Sequence, residues 1–341
     1  MAQPTQVAGT LEDTSPDKAH AVGVSRTSAG LRDWMELVRP SHWVKNVVVL
    51  AGPAAGLKLL SFPSLWEALV AFGAFCLTAS ATYAINDVAD YRADARHPMK
   101  RLRPIARGAI RPVHAVLLGA ILFALAVSAS TLLLNHRVTV VLVIYFALTL
   151  SYSLALKRRM ILDVILLASG FVLRALAGAL AVSVATSQWL VACVFTLCLF
   201  MGFGKRRAEI AMIANEDEAR AHRGTLARYT PDLLNQLISV SAAIAVITFL
   251  LYTLESGGPA PPFHKEHLFF TLPLVVYGVF RFAMLTELGV YSGPTEIVLK
   301  DKALLATILV WAMIALLIAY EGSIFGPGGL ESLLGTGVRV G

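Results

Sequence analysis

One recurrence constrains this chain more than anything else in it: apolar stretches near bilayer-crossing length return along almost all of it. Nine can be marked, at about 42–60, 65–86, 113–134, 138–156, 161–182, 187–204, 232–254, 267–286 and 303–320. With 57% of 341 residues hydrophobic and 15% charged, the expected fold class is an all-α polytopic membrane protein with nine transmembrane helices. A net charge of +7 would point to nucleic acid if it were spread over a soluble surface. Instead, Lys and Arg gather in 87–112, 157–160, 205–231, 287–302 and the arm before Trp43. The opposite side keeps only Lys58, Arg137, Lys265 and Arg339. Such bias places the N-terminus in the cytoplasm and the C-terminus outside, and it removes nucleic acid from the list of partners. Residues 1–33 are polar, without the apolar core of a signal peptide, and read as a disordered cytoplasmic arm. Residues 34–321 form one nine-helix domain, and the Gly-rich 322–341 a flexible tail. Cys76, Cys193 and Cys198 fall inside spans without metal-ligand spacing, so no disulfide framework is expected.

The stretch "AINDVADYRADARHPMKRLRPIARG", residues 84–108, ends the second apolar run. Asp87, Asp90 and Asp94 are spaced i, i+3, i+7 and stack along one helical face, with Tyr83 a turn earlier and Asn86 at the edge. Three carboxylates within two turns repel unless something positive sits between them. Mg²⁺ prefers hard oxygen ligands and takes one or two carboxylates plus substrate phosphates. Lys100, Arg101, Arg103 and Arg107 follow at once, a source of donors for phosphate oxygens. The expectation is a Mg²⁺–phosphate site at the cytoplasmic mouth of span 2, set against a solvated helix end with local ion pairs to Arg92 and Arg96.

A second group opens span 5. Lys157, Arg158 and Arg159 make the turn, and Asp163 follows. Asp163, Gly170, Arg174 and Gly178 share one face, with Arg174 about 16 Å along the helix from Asp163. An arginine so deep faces a cavity or a partner, not lipid; it is either a ligand anchor or a structural pair. Lys205, Arg206 and Arg207 end span 6, as phosphate donors or as simple cytoplasmic anchoring. Lys45, inside the first apolar run, either snorkels to the interface or points into the bundle.

The run N-D-x-x-D-x-x-x-D followed by K-x-x-R-P-I-x-x-G, carried here by Asn86, Asp87, Asp90, Asp94, Lys100, Arg103, Pro104 and Gly108, resembles the first signature of the UbiA superfamily of intramembrane prenyltransferases. That resemblance implies a nine-helix bundle with a cytoplasm-facing, Mg²⁺-dependent diphosphate site. Many members carry a second D-x-x-x-D; here Asp163 is followed at i+4 by Leu167. The segments "RPSHWVKN", "YSLALKRRMILDV", "GFVLRALAGA" and "MGFGKRRAE" look more like a phosphoribosyl-transferring branch known from mycobacteria and their relatives. That branch implies a plasma-membrane enzyme with 5-phosphoribosyl diphosphate (PRPP) as donor and decaprenyl phosphate as acceptor. Its product would feed arabinogalactan and lipoarabinomannan synthesis for the cell wall. On that resemblance Asp87, Asp90 and Asp94 hold Mg²⁺ and, with Asn86, the donor diphosphate, and Asp163 lies opposite as a further catalytic carboxylate. Lys100, Arg103, Lys157 and Lys205 bind phosphate oxygens. Tyr83, Tyr152 and Arg174 line the cavity, and Lys45 is a candidate for the lipid phosphate. A homo-oligomer is compatible with the pattern. Two rivals stand beside this reading: isoprenyl transfer to an aromatic or quinone precursor, and a secondary transporter using Asp163 and Arg174.

Overall fold

The structure, a computed structural model, describes residues 29–213, 229–255, 265–291 and 293–320. It is all helical. α1 (Leu31–Val38) is followed by a 3-10 helix (Pro40–Leu50) and the single turn α2 (Ala51–Ala55). Then come α3 (Phe62–Asp94), α4 (Pro112–Leu133), α5 (His136–Leu154), α6 (Leu162–Ala181), α7 (Gln188–Ile213) and α8 (Pro231–Leu254). A 3-10 turn (Lys265–Thr271) leads into α9 (Leu272–Leu288), and α10 (Pro294–Lys300) and α11 (Lys302–Ala319) complete the described chain. α1 begins at Leu31, inside the stretch expected to be a disordered arm. The rest of that arm (1–28) and the expected tail (322–341) lie outside the described residues.

Among the described residues eight helical stretches, not nine, are long and apolar enough to cross a membrane. The missing one is the first. Where the sequence suggested a span over 42–60, the chain forms the 3-10 helix Pro40–Leu50 and then α2. Its backbone lies directly on α6: a Cβ added to Gly178 would sit 1.6 Å from the Val49 carbonyl oxygen, and one on Gly52 would sit 2.7 Å from Ala179 Cβ. Irregular backbone at membrane depth is tolerated where protein buries it, and Val49, Gly52 and Pro53 are buried. A three-residue period also eclipses positions i and i+3. Trp43, Asn46 and Val49 therefore form one row, which packs inward. Trp43 Nε1 donates to Ser80 Oγ (3.1 Å), while Asn46 and Val49 are fully buried. Arg39, His42 and Lys45 form a second row.

α3 carries the acidic stripe. Its 33 residues span about 50 Å against a hydrocarbon core of about 30 Å, so its last turns extend past the apolar layer. Gly119 of α4 lets the two helices close up, with the Ala81 carbonyl 3.2 Å from where a Cβ would stand. α6 joins the two halves of the bundle. Val164 packs with Phe200, Phe203, Leu234 and Phe282, and Ala177 and Ala181 pack with Val49, Phe75, Val138 and Leu142. Helix starts are capped where the sequence provides a side chain. Asn135 accepts from Val138 N–H, Thr230 from Leu233 N–H, and Asp301 from Leu304 N–H.

Candidate active site

The acidic end of α3 meets Arg39 at the start of the first 3-10 segment and Lys157 in the turn before α6, while the N-terminus of α6 meets the C-terminal half of α7. Asp87 is almost fully buried. Arg39 Nη2 donates to both its oxygens (2.6 and 2.8 Å), and Arg103 Nη1 donates to Oδ1 at 3.1 Å. The same Arg103 nitrogen reaches Asp94 Oδ2 at 2.6 Å. One guanidinium thus bridges Asp87 and Asp94, the positive group that two stacked carboxylates require. Asp90 takes Lys157 Nζ on both oxygens at 2.7 Å, which ties α3 to the turn before α6. Asp163, also fully buried, accepts Arg206 Nε at 2.8 Å on Oδ2 and the Tyr229 hydroxyl at 3.0 Å on Oδ1. Arg206 also reaches Glu209 (2.6 Å). Burial pushes the Tyr229 phenol up to about 12, so it stays protonated and donates.

Deeper in the bundle, Arg174 Nε donates to Asn46 Oδ1 (2.7 Å), Nη1 to the Gly170 carbonyl (3.0 Å) and Nη2 to the Tyr145 hydroxyl (2.7 Å). Its guanidinium carbon stands 4.7 Å from the Tyr145 ring centre and 4.9 Å from that of Phe171, a geometry that attracts cations. Both readings of Arg174 meet here: it is a structural pair, yet every partner is neutral and its full charge remains. Lys45 is exposed on the 3-10 segment. Tyr83 stacks edge-on with His42 (5.2 Å between ring centres) and carries Arg39 above its ring at 5.1 Å. The buried His42 Nδ1 atom has no hydrogen-bond partner among the described residues.

The residues expected from sequence therefore fall into separate networks: Asp87 and Asp94 with Arg103, Asp90 with Lys157, Asp163 with Arg206, and Arg174 deeper in the bundle. Lys100 stands apart, exposed on the 3-10 turn Lys100–Leu102. The backbone becomes extended only at Arg103, and Arg103 is the base that turns inward. Asn86 is half-buried beside Asp87. The sequence did not single out Arg39, His42, Asn46, Tyr145 and Tyr229 as site residues. The first three depend on the 3-10 register and on the left-handed backbone of Arg39 (φ 54°). The contacts of the others cross dozens of positions.

The profile of the UbiA prenyltransferase family matches residues 47–288. The chain belongs to the UbiA prenyltransferase family. Among curated proteins it is 33% identical to a decaprenyl-phosphate phosphoribosyltransferase of Corynebacterium glutamicum, over 84% of this chain and 86% of that one. It is 32% identical to the protein of the same name in Mycobacterium tuberculosis, over 81% and 91%. Among solved structures, a UbiA homologue from Archaeoglobus fulgidus bound to DMAPP and Mg²⁺ superposes with a TM-score of 0.65 at 17% identity, covering 84% of this chain and 98% of that one. That likeness carries the fold.

Among the described residues no group of three or more His, Cys, Asp or Glu side chains is arranged to hold a metal ion. The donor set nevertheless suits Mg²⁺, which completes its shell with substrate phosphates and water. Asp90 is the accessible carboxylate, with its side chain 30% exposed.

Replacing Arg174 with Met leaves Asn46 Oδ1 and the Tyr145 hydroxyl oxygen without the donor each has here. Each orphaned buried group costs about 1–3 kcal/mol. Thermal unfolding of purified Arg174→Met should show a lowered midpoint, and an unchanged midpoint would contradict this account of the Arg174 hydrogen bonds.

Proposed function

We propose that this protein transfers 5-phosphoribosyl from PRPP to decaprenyl phosphate and releases diphosphate. The observation that carries this reading is the division of the bases into two groups. Arg39, Arg103, Lys157 and Arg206 are paired with carboxylates. Lys45, Arg174 and Lys205 make no ion pair among the described residues. Two anionic substrates need two basic regions, one shared with metal-binding acids and one free of acids. The names of the most similar curated proteins support the same substrates. Leu167, where a second aspartate would complete D-x-x-x-D, weakens the isoprenyl-diphosphate alternative.

In this reading Asp87, Asp90 and Asp94 hold Mg²⁺ with the donor diphosphate, and Asn86 supports it. Arg39, Arg103 and Lys157 release carboxylate oxygens and take phosphate oxygens. When bound, Mg²⁺ supplies neutralisation of the departing diphosphate. Lys45, Lys205 and Arg174 hold the acceptor phosphate, which is already an anion and needs no general base. Fixed positive groups and orientation then carry the rate. In-line attack inverts C1 and gives a β-linked product.

The first segment supports a topology. Eleven 3-10 residues at about 2.0 Å and five α residues at about 1.5 Å make roughly 30 Å. That length is close to a bilayer core and supports a ninth crossing, with the N-terminus and the charged end in the cytoplasm. The enzyme would sit in the plasma membrane and supply cell-wall arabinan precursors.

A donor competition tests the reading. Purified protein with Mg²⁺ is offered PRPP with decaprenyl phosphate and, in parallel, a prenyl diphosphate with an aromatic acceptor, and the lipid extract is read by mass spectrometry. Phosphoribosylated decaprenyl phosphate is the expected product. A prenylated aromatic product alone would overturn the assignment.

A further inference from the structure

Ile161, the residue before α6, has φ 67° and ψ −48°. Leu162 N–H donates to the Met160 carbonyl across it at 2.7 Å. This is a γ-turn with positive φ, a rare and strained form, and a β-branched residue is the least suited to it. Strain of this kind persists where the surroundings over-determine it, and it clusters at working sites. Here the surroundings include Tyr229. Its hydroxyl accepts from Ile161 N–H at 2.5 Å and donates to Asp163 Oδ1 at 3.0 Å, while the ring is buried among Val164, Phe203 and Leu234. One phenol oxygen thus holds both the strained turn and the carboxylate two residues beyond it. With Oδ1 on Tyr229 and Oδ2 on Arg206, Asp163 is committed to orienting its neighbours.

We infer that Tyr229 is a positioning residue of the donor site: through the Ile161 turn and Asp163 it fixes the Arg206 guanidinium that contacts the donor diphosphate. The inference rests on the proposed donor site. Arg206 is suited to the role because Asp163 holds Nε, Glu209 holds Nη1, and 14% of its side chain remains exposed. Without Tyr229, Asp163 keeps one partner and the turn loses its only side-chain acceptor among the described residues.

The test uses the full chain in detergent and reads binding of inorganic diphosphate with Mg²⁺ by calorimetry, together with phosphoribosyl transfer. Tyr229→Phe removes one oxygen. It should weaken diphosphate binding about 10-fold and lower kcat by about 10-fold to 100-fold, the scale of a small misplacement at a reacting centre. Ile161→Gly separates positioning from stability. Glycine adopts positive φ at no steric cost, so its unfolding midpoint should equal or exceed wild type while diphosphate binding weakens. Binding within twofold of wild type in Tyr229→Phe would overturn the inference. So would an Ile161→Gly protein that is more stable and binds diphosphate unchanged, because the turn would then be mere strain. Wild-type protein that binds diphosphate with Mg²⁺ but moves no phosphoribosyl would sink the donor assignment alone.

Discussion

Asp87→Asn should reduce phosphoribosyl transfer by about 1,000-fold while leaving a folded protein. Losing one preorganised electrostatic partner costs about 100-fold to 1,000-fold, and Asp87 also orders two bases. The isosteric change matters. Asp87→Ala would strip a buried pair at a cost of about 3–5 kcal/mol and confuse folding with chemistry. In Asp87→Asn the amide oxygen still accepts from Arg39, and Arg103 retains Asp94 at 2.6 Å. Asp90→Asn is the companion. Its pair with Lys157 is 25–30% exposed, so its loss should cost under about 1 kcal/mol of stability yet impair transfer severely. Both are measured as label moved into lipid per folded protein, with folding scored by size exclusion and thermal unfolding. Asp87→Asn turning over within a few fold of wild type would remove the carboxylate face from the chemistry.

Gly178→Ala should be the most disruptive single methyl in the membrane core. The new Cβ would stand 1.6 Å from the Val49 carbonyl oxygen and 2.7 Å from its carbon, so backbone, not a flexible side-chain tip, must move. Overpacking of this kind costs about 3 kcal/mol or more. It also pushes the segment that carries Asn46 and Lys45 off α6, so stability and transfer should fall together. Gly170→Ala on the same face is the control. Its nearest neighbour, a Tyr145 ring carbon, is 3.5 Å away, and alanine favours the helix by about 1 kcal/mol. A Gly178→Ala protein as stable as Gly170→Ala would show that the first segment does not rest on α6 as described.

The charged end of the bundle was legible because its signals are local. The i, i+3, i+7 acids of α3 and the bases just beyond them sit within 25 residues, and helical geometry alone puts them together. Arg103 was legible for the same reason. The form of the first apolar segment was not, because hydropathy measures apolar length and not helical type. "SHWVKNVVVL" reads equally well as an α-helix, and its close approach to Gly178 of α6 is a tertiary contact that no local pattern carries. Without that register Arg39, His42 and Lys45 scatter around the segment. With it they line up. Arg174 was visible as an anomaly, but its partner Asn46 lies 128 positions away, beyond the reach of any local pattern. Tyr229 was hidden similarly, since its value comes from a backbone turn at Ile161 that no composition signals.

Where the donor diphosphate binds decides the assignment of the two basic regions. A cryo-electron microscopy map of the protein with Mg²⁺ and PRPP measures that. The expected result is diphosphate density against the Asp87–Asp94 face of α3, with Arg39, Arg103 and Lys157 swung from carboxylate onto phosphate oxygens. Diphosphate density among Lys45, Arg174 and Lys205 instead, with the α3 carboxylates still paired to their bases, would contradict it.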